Sequence, residues 1–359
     1  MFSDAAKKQI DACRFCWMCR HVCPVGLATG KEADTPRGRA VLCKYVLTGM
    51  DIQKEIAGDM FACCLCNACA DWCETGFEPS VFIREARTEA LASGCLPPKV
   101  EKVVLAALKS GSIYSETSSA LSVKCREKAD VLLVLGETAR IKQPAIAEAA
   151  CSLLKKAGIN YAVLRDEPPT GAMMFDLVGE IQEVRDVAEK FLSKAAETGA
   201  QTVVCVDPSD VKFFKQDCVR WGLNLPGDVY SITAYLSDLL EKKQLKITKK
   251  CDKTVTFHDP CRLARDLEET EPCRKLLAAA GAQLKEMYLN RNNTRCCGGE
   301  VLSSHSPEIT RKIAQTRIDD AKRTEAELCI TACPGCSQVL GTVGGDYIKN
   351  ILELLNECC

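Results

Sequence analysis

The sequence predicts an α plus α/β protein: a helical N-terminal module over residues 1–98, then two parallel α/β units over 99–246 and 247–359. Three observations carry this. A cysteine run of fixed spacing occurs twice before residue 75, in sequence with helical apolar periodicity. After residue 130, short β-rich runs alternate with helical patterns, the signature of parallel α/β units. The same alternation returns roughly 125 residues later, so the two units read as pseudo-symmetric repeats.

In chain order, "MFSDAAKKQIDAC" is polar and helical in character. "DTPRGRAVLCKYVLTG" opens a helix at Pro36, and "PSVFIREARTEALASG" carries another that Gly94 closes. "VLLVLG", "YAVLRD" and "QTVVCVD" are the strands of the first α/β unit, and "KTVTFHD", "AQLKEMYL" and "ELCITAC" those of the second. The longest apolar stretches, such as Val131 to Leu135, fall far below the ~20 residues of a spanning helix. With no transmembrane segment and no signal-peptide pattern, the expected location is cytoplasmic, peripheral to a membrane only through a partner. Basic and acidic residues balance, 47 against 48, so no nucleic-acid partner is expected. No Walker loop and no G-x-G-x-x-G after a strand occurs, so no nucleotide and no flavin is expected in this chain.

The 25 cysteines dominate the composition. Disulfide scaffolds are short, secreted and poor in core, whereas this chain has 359 residues and is 47% hydrophobic. Clustered cysteines in a reducing compartment point instead to metal or redox chemistry. "CRFCWMCRHVCP" reads C-x2-C-x2-C-x3-C-P, and "CCLCNACADWC" repeats the spacing at Cys63, Cys66, Cys69 and Cys73. This is the bacterial ferredoxin run, in which three close thiolates wrap one cluster and the fourth reaches its neighbour. The expected ligands are Cys13, Cys16, Cys19 and Cys73 for one [4Fe-4S] cubane, and Cys63, Cys66, Cys69 and Cys23 for a second. One run alone could be a zinc site; two runs of four argue against zinc, whose sites pair C-x2-C units or add histidine. The second run is followed by Glu74 rather than proline, which removes no ligand. Cys64 is read as a small buried hydrophobe, Arg37 and Arg39 as surface or interface charges, His21 as exposed, and Trp17 and Trp72 as apolar cover over the clusters.

A second constellation lies near the C-terminus. Cys261, the adjacent pair Cys296 and Cys297, and Cys333 with Cys336 each follow a predicted strand. They would sit on the strand-end rim where open α/β sheets bind ligands. "CCGGE" fits there because Gly298 and Gly299 allow a sharp turn. Spacing alone says only that these residues hold a metal cluster.

The spacing Cys261-x34-Cys296-Cys297-x35-Cys333-x2-Cys336, with "HDPCRLAR" and "TACPGCSQVL" around it, resembles the CCG-domain signature of heterodisulfide reductase B and D subunits. The whole chain is similar to the architecture of a ferredoxin-like domain followed by two CCG repeats. Heterodisulfide reductase D, glycolate oxidase iron–sulfur subunits, anaerobic glycerol-3-phosphate dehydrogenase C and lactate-utilisation A proteins share it. The resemblance implies that Cys261, Cys296, Cys297, Cys333 and Cys336 hold one noncubane [4Fe-4S] cluster. It also implies a flavin-containing dehydrogenase subunit as partner, with further iron–sulfur or electron-carrier subunits. The first repeat departs from the pattern. "PPTGAMM" from Pro168 stands in place of the cysteine pair, "CVDPSD" from Cys205 in place of C-x-x-C, and Gly136 has no cysteine beside it. Cys205 is then packing, and the first repeat is scaffold without a cluster.

His258 and Asp259 leave two readings open: donors or proton relay beside the cluster, or a helix cap at Asp259 with a buried, satisfied His258. His305 shows no partner in sequence, and Cys358 and Cys359 read as a frayed terminus. The function expected is an electron-transfer subunit of an oxidoreductase complex, the alternative a thiol–disulfide reductase acting at the noncubane cluster. Three four-iron clusters predict about twelve irons per chain, whereas about eight removes the CCG cluster and about sixteen restores one to the first repeat. Metal analysis of the anaerobically purified protein decides among these counts.

Overall fold

The structure, a computed structural model, describes residues 2–114, 128–225 and 227–359. The N-terminal module is helical: Asp4–Ala12, Pro36–Leu47, Lys54–Phe61, Pro79–Ala92 and Pro98–Ser110, with short turns of helix between them. Local chemistry sets their starts. The Ser3 hydroxyl accepts from the Ala6 amide, and the Thr35 hydroxyl from the Gly38 amide with Pro36 in the first turn.

Two four-stranded sheets follow, every pairing parallel. The first comprises β1 (Val131–Val134), β2 (Tyr161–Ala162), β3 (Thr202–Cys205) and β4 (Asp228–Ser231), ordered β2-β1-β3-β4. The second comprises β5 (Thr254–His258), β6 (Gln283–Leu284), β7 (Leu328–Thr331) and β8 (Ile348–Asn350), ordered β6-β5-β7-β8. In each sheet the chain leaves its first strand on one side and returns on the other. This opens a crevice at the strand ends between β1 and β3, and between β5 and β7.

Strands β4 and β8 have no counterpart among the sequence-predicted strands. Both are short edge strands of mixed polarity, "DVYS" and "IKN", without the apolar run that marks a buried strand. Each ends in a cap that starts the next helix, Ser231 for Ile232–Glu241 and Asn350, in a capping box with Glu353, for Ile351–Cys358. That last helix also corrects the expectation of a frayed terminus. Leu352, Leu354, Leu355 and Cys358 are buried in the core, and the Cys358 carbonyl accepts from the amides of Thr248 at 2.8 Å and Lys249 at 2.9 Å.

The first sheet is covered on both faces, and strand alternation divides the work. Leu132, Val134, Val203 and Cys205 join a core that runs on through Phe61, Phe82 and Ile83 of the N-terminal module. Leu133, Leu135, Val204 and Val206 face the other way and pack into a core with Phe257, Ile330 and Leu355 of the second sheet. The first α/β unit is thus clamped between its neighbours.

Asp176 ties the three parts together. Its carboxylate accepts from Arg84 of the N-terminal module at 2.8 Å and from Arg262, on the π-helical turn after β5. Arg262 also pairs with Asp266 at 2.8 Å. Burial pushes the Asp176 carboxyl up, but Arg262, Arg84 and Lys212 outweigh it and hold it well below the usual carboxylate range. Breaking a buried pair from one side strands the remaining charges, so Asp176→Asn is expected to cost about 3–5 kcal/mol. Because the folded value is depressed, the stabilisation is complete above about pH 4 and lost as pH falls through the folded value. Guanidinium unfolding at pH 7 and below about pH 4 checks this, the cost of the substitution shrinking in the acid series; a midpoint unchanged by the substitution at pH 7 would remove Asp176 from the junction.

Candidate metal centres at three cysteine-lined cavities

The two N-terminal runs form the same backbone loop. Phe15 and Trp17 in the first, and Leu65 and Asn67 in the second, have φ of 55°, 69°, 51° and 57°. These are equivalent positions on either side of the second cysteine, Cys16 or Cys66. Left-handed non-glycine residues cost roughly 1–2 kcal/mol each, so the loop shape is imposed by what surrounds it. Each loop runs into a short helix, Met18–Val22 or Ala68–Asp71.

The folded loops enclose two cavities. One, of about 330 Å³, is lined by Cys13, Cys16, Cys19 and Cys73. The other, of about 390 Å³, is lined by Cys23, Cys63, Cys66 and Cys69 together with Cys64. In both, the fourth cysteine comes from the other run. Backbone amides reach the sulfurs: Gly26 to Cys23 at 3.4 Å and Leu65 to Cys63 at 3.3 Å. Burial pushes Cys19 and Cys23 up to about 11 and raises Cys69 well above a free thiol. Such thiols do not ionise without a cation to take them, and rings of soft sulfur donors suit an iron–sulfur group.

The third cavity, of about 630 Å³, lies at the crevice of the second sheet and is lined by Cys261, Cys296, Cys297, Cys333 and Cys336. Cys333 is the N-cap of helix Pro334–Gly344, where its sulfur accepts from the Cys336 amide at 3.4 Å. The Gly298 and Gly299 amides reach the sulfurs of Cys296 and Cys297 at 3.3 and 3.4 Å. Gly298 has φ of 112°, and a Cβ there would stand 2.8 Å from Thr310. The sulfurs of Cys297 and Cys336 are 3.3 Å apart. Hydrogen bonds from Cys296 and Cys336 hold Cys297 down at about 5, while its bond to Cys297 pushes Cys336 well up. This all-sulfur donor set fits a thiolate-bound metal cluster and not a hard cation.

The second and third cavities share a wall. Cys63, Cys64 and Leu65 line both, and the Cys66 and Cys64 thiols are in hydrogen-bond reach of Cys296. Sequence spacing held no sign of this contact, because the residues are more than 200 apart in the chain.

His258 and Asp259 have separate roles. The His258 ring is fully buried, and Nδ1 accepts from Arg317 Nε at 3.0 Å. That leaves the proton on Nε2, which has no partner among the described residues. A His258 ring nitrogen lies within 4.8 Å of the Cys297 and Cys336 sulfurs. Asp259 caps no helix; it pairs with Arg274 at 2.7 and 3.0 Å and accepts from the Arg291 amide at 2.8 Å.

Other expectations change too. Arg39 is not a surface charge. It is buried, donates to the carbonyls of Asp34 and Asp59, and faces Asp34 at 3.6 Å. Trp17 is exposed rather than cover, with Arg37 stacked 4.0 Å from its ring centre. His305 is buried, edge-on to Phe61 at 6.1 Å, with Ser306 near Nδ1.

The rim of the first sheet carries carboxylates at the matching positions. Asp207 is the second residue after β3, as Cys333 is after β7, and Asp210 is the fifth, as Cys336 is. Glu137 is the third residue after β1, as Cys261 is after β5. Asp207 is again the N-cap, accepting from Ser209 at 2.8 Å. Asp210 accepts from Thr170 at 2.5 Å, and Glu167 from the Leu135 and Gly136 amides at 2.9 Å. Glu300, next after "CCGG", reaches across to Thr138 at 3.3 Å. Burial and mutual repulsion push Asp210 and Glu300 well above the usual carboxylate range.

Residues 12–78 match the 4Fe-4S dicluster domain family and residues 255–341 the cysteine-rich CCG domain family. The chain is 28% identical to the D subunit of the dihydromethanophenazine:CoB–CoM heterodisulfide reductase of Methanosarcina acetivorans, over 96% of this chain and 91% of that one. It is 22% identical to the glycolate oxidase iron–sulfur subunit of Escherichia coli, over 97% and 94% of the two chains. A hypothetical protein from Helicobacter pylori of known structure has a similar fold, with a TM-score of 0.57 at 9% identity over 99% of this chain and 73% of that one.

Within the carboxylate rim, burial raises Glu137 to about 7, with Glu167 and Asp207 adding to the rise against the pull of Ser112 and Arg140. A raised folded value makes this contribution largest at low pH and lost as pH rises from the unfolded value towards about 7. Between pH 5 and pH 8 the stability should fall by about 2 kcal/mol from this group, at ~1.4 kcal/mol per unit. Glu137→Gln should remove that slope in denaturant titrations; an identical slope in the variant counts against the assignment.

Proposed function

With a 4Fe-4S dicluster domain and a cysteine-rich CCG domain joined in one chain, we propose that the protein is the iron–sulfur electron-transfer subunit of an oxidoreductase complex. It would relay electrons between a flavin-containing dehydrogenase subunit and a terminal acceptor. The observation that carries this is the shared wall between the second and third cavities, where Cys66 and Cys64 meet Cys296. Three sulfur-lined sites are thereby in series through the protein.

The donor sets support two cubanes, at Cys13, Cys16, Cys19 and Cys73 and at Cys23, Cys63, Cys66 and Cys69. They support one noncubane group at Cys261, Cys296, Cys297, Cys333 and Cys336. Bound there, such groups supply one-electron redox chemistry. The chain's own residues hold and insulate them. Backbone amides of Gly26, Leu65, Gly298 and Gly299 stabilise charged sulfur. Arg265 donates to the Cys66 carbonyl at 2.7 Å and to the carbonyls of Asn292 and Thr294 at 2.8 Å, fixing the second loop against the third site. His258, oriented by Arg317, sets a ring nitrogen within 4.8 Å of the Cys297 and Cys336 sulfurs, where it can tune them.

The division into a cluster-bearing helical domain (1–98), a scaffold repeat (99–246) and an intact CCG repeat (247–359) belongs to the same proposal. The matching strand orders support it, as do the carboxylates Glu137, Asp207 and Asp210 in the places of Cys261, Cys333 and Cys336. No helix among the described residues is long and apolar enough to cross a membrane. A cytoplasmic site of action, with any membrane contact made through a partner, accords with this.

The third cavity favours one alternative. It is lined by the five CCG cysteines, one more than a cubane takes, together with Arg262 and Glu300, polar groups that a small thiol or disulfide could meet. Disulfide reduction by the isolated chain with a chemical reductant would establish that activity, and its absence leaves the relay.

Cys297→Ser is expected to lose the third group alone, lowering iron from about twelve to about eight per chain with both cubane signals kept in electron paramagnetic resonance. Cys64→Ser should keep all the iron. Loss of every signal in Cys297→Ser, or of none, would overturn the ligand assignment.

A further inference from the structure

The two N-terminal loops share a backbone but not an environment. In the second, Leu65 is 2% exposed and Ala68 5%. The second α/β unit covers this loop: Arg265 bonds the Cys66 carbonyl at 2.7 Å, and Asp266 accepts from Asn67 at 2.9 Å. At the equivalent positions of the first loop, Phe15 is 54% exposed and Met18 44%. Trp17, the counterpart of Asn67, is 41% exposed, and Cys16 itself is exposed. Apolar and aromatic side chains therefore surround a solvent-facing cysteine at one end of the series, where the covered copy of the same loop has protein.

The first run itself carries basic charge. No acidic residue occurs between Asp11 and Glu32, a stretch that contains Arg14, Arg20, His21 and Lys31. Arg14, Arg20 and His21 are exposed. Arg20 and Arg37 both stack on Trp17, at 5.0 and 4.0 Å from the ring centre, with Arg37 also paired to Glu32 at 3.1 Å. Cys73, which lines the same cavity from the second run, is flanked by the exposed Asp71 and Glu74, so the basic charge is confined to the Cys13–Cys19 side.

Exposed Trp, Phe, Met and Arg around an apolar centre are the composition of protein–protein contacts, and a cluster of basic side chains on the loop steers an acidic partner to it. We propose that the Cys13–Cys19 loop is the docking face for the redox partner, a flavoprotein that presents an apolar contact ringed by carboxylates. This rests on the electron-relay function above. One electron crosses the contact per event, so that in the reducing direction the partner's reduced flavin is oxidised by one and the first sulfur-lined site is reduced by one. No bond is made or broken.

The test uses the full chain loaded with its clusters and the flavin dehydrogenase isolated from the same complex, with cluster reduction followed by stopped flow. Arg14→Glu/Arg20→Glu should slow transfer at low ionic strength by about tenfold or more, and the steep salt dependence of the wild type should vanish. Phe15→Asn/Met18→Gln should slow it at every salt concentration. Tyr288→Ser, at the most exposed aromatic residue elsewhere, should change nothing. Dithionite should reduce all variants to the same extent, which shows that the clusters are intact. A partner-free arm uses viologen radicals: the wild type should oxidise a sulfonated, anionic viologen faster than methyl viologen, and the charge reversal should invert that order. Wild-type rates and salt dependence in the loop variants, with transfer intact, overturn the docking face and leave the relay standing. Clusters that dithionite reduces but that no flavoprotein of the complex reduces would overturn the relay, and this proposal with it.

Discussion

Buried sulfur has to be compensated, and in this protein buried and half-buried arginines are placed to do it. Arg39, Arg87, Arg265 and Arg317 each reach into the backbone around a cysteine loop. Arg87 alone bonds the carbonyls of Met60, Phe61, Cys63 and Asp176. Arg317 joins His258, Leu289 and Thr294 behind the third site. A guanidinium that donates to several carbonyls at once fixes loops that have little regular structure of their own, and it brings positive charge near thiolates in a low-dielectric interior. Burial lowers Arg87 to about 10, which still leaves it charged at neutral pH. The left-handed residues beside Cys66 hold their shape within this frame, where Arg265 bonds the Cys66 carbonyl.

The two sheets show how donor chemistry is exchanged on a common scaffold. Both open a crevice at the same point of the same strand order, and both place an N-cap residue two positions beyond the central strand. In one that residue is Cys333, in the other Asp207. The carboxylate rim lacks the soft donors that an iron–sulfur group needs, and its side chains find partners instead: Thr170 for Asp210, backbone amides for Glu167, Thr138 for Glu300. The first sheet remains structurally central, since its two faces carry the cores shared with the units on either side.

A gradient of exposure runs along the series of sites. The first loop meets solvent, the second is sealed by Arg265 and Asp266, and the third lies in the crevice of the second sheet. Access to water is one of the factors that set the potential of a metal–sulfur site, so the three positions differ in that respect.

The cysteine spacings, read alone, determined the donor sets to be expected, because ligand geometry restricts how few residues can separate thiolates that share a metal. Short β-rich runs with little polar alternation likewise marked β1, β3, β5 and β7, whose residues are buried on both faces. The edge strands β4 and β8 were illegible, since a half-exposed strand of three or four residues has no such signature. Arg39 could not be told from a surface arginine, nor the terminal Cys358 from a frayed end, because burial is a property of neighbours. Only the tertiary structure decided that Cys66 lies against Cys296, that Arg317 orients His258, and that one of two equivalent loops is covered while the other is bare. Each of these depends on residues distant in sequence being brought together, and local pattern contains no information about that distance.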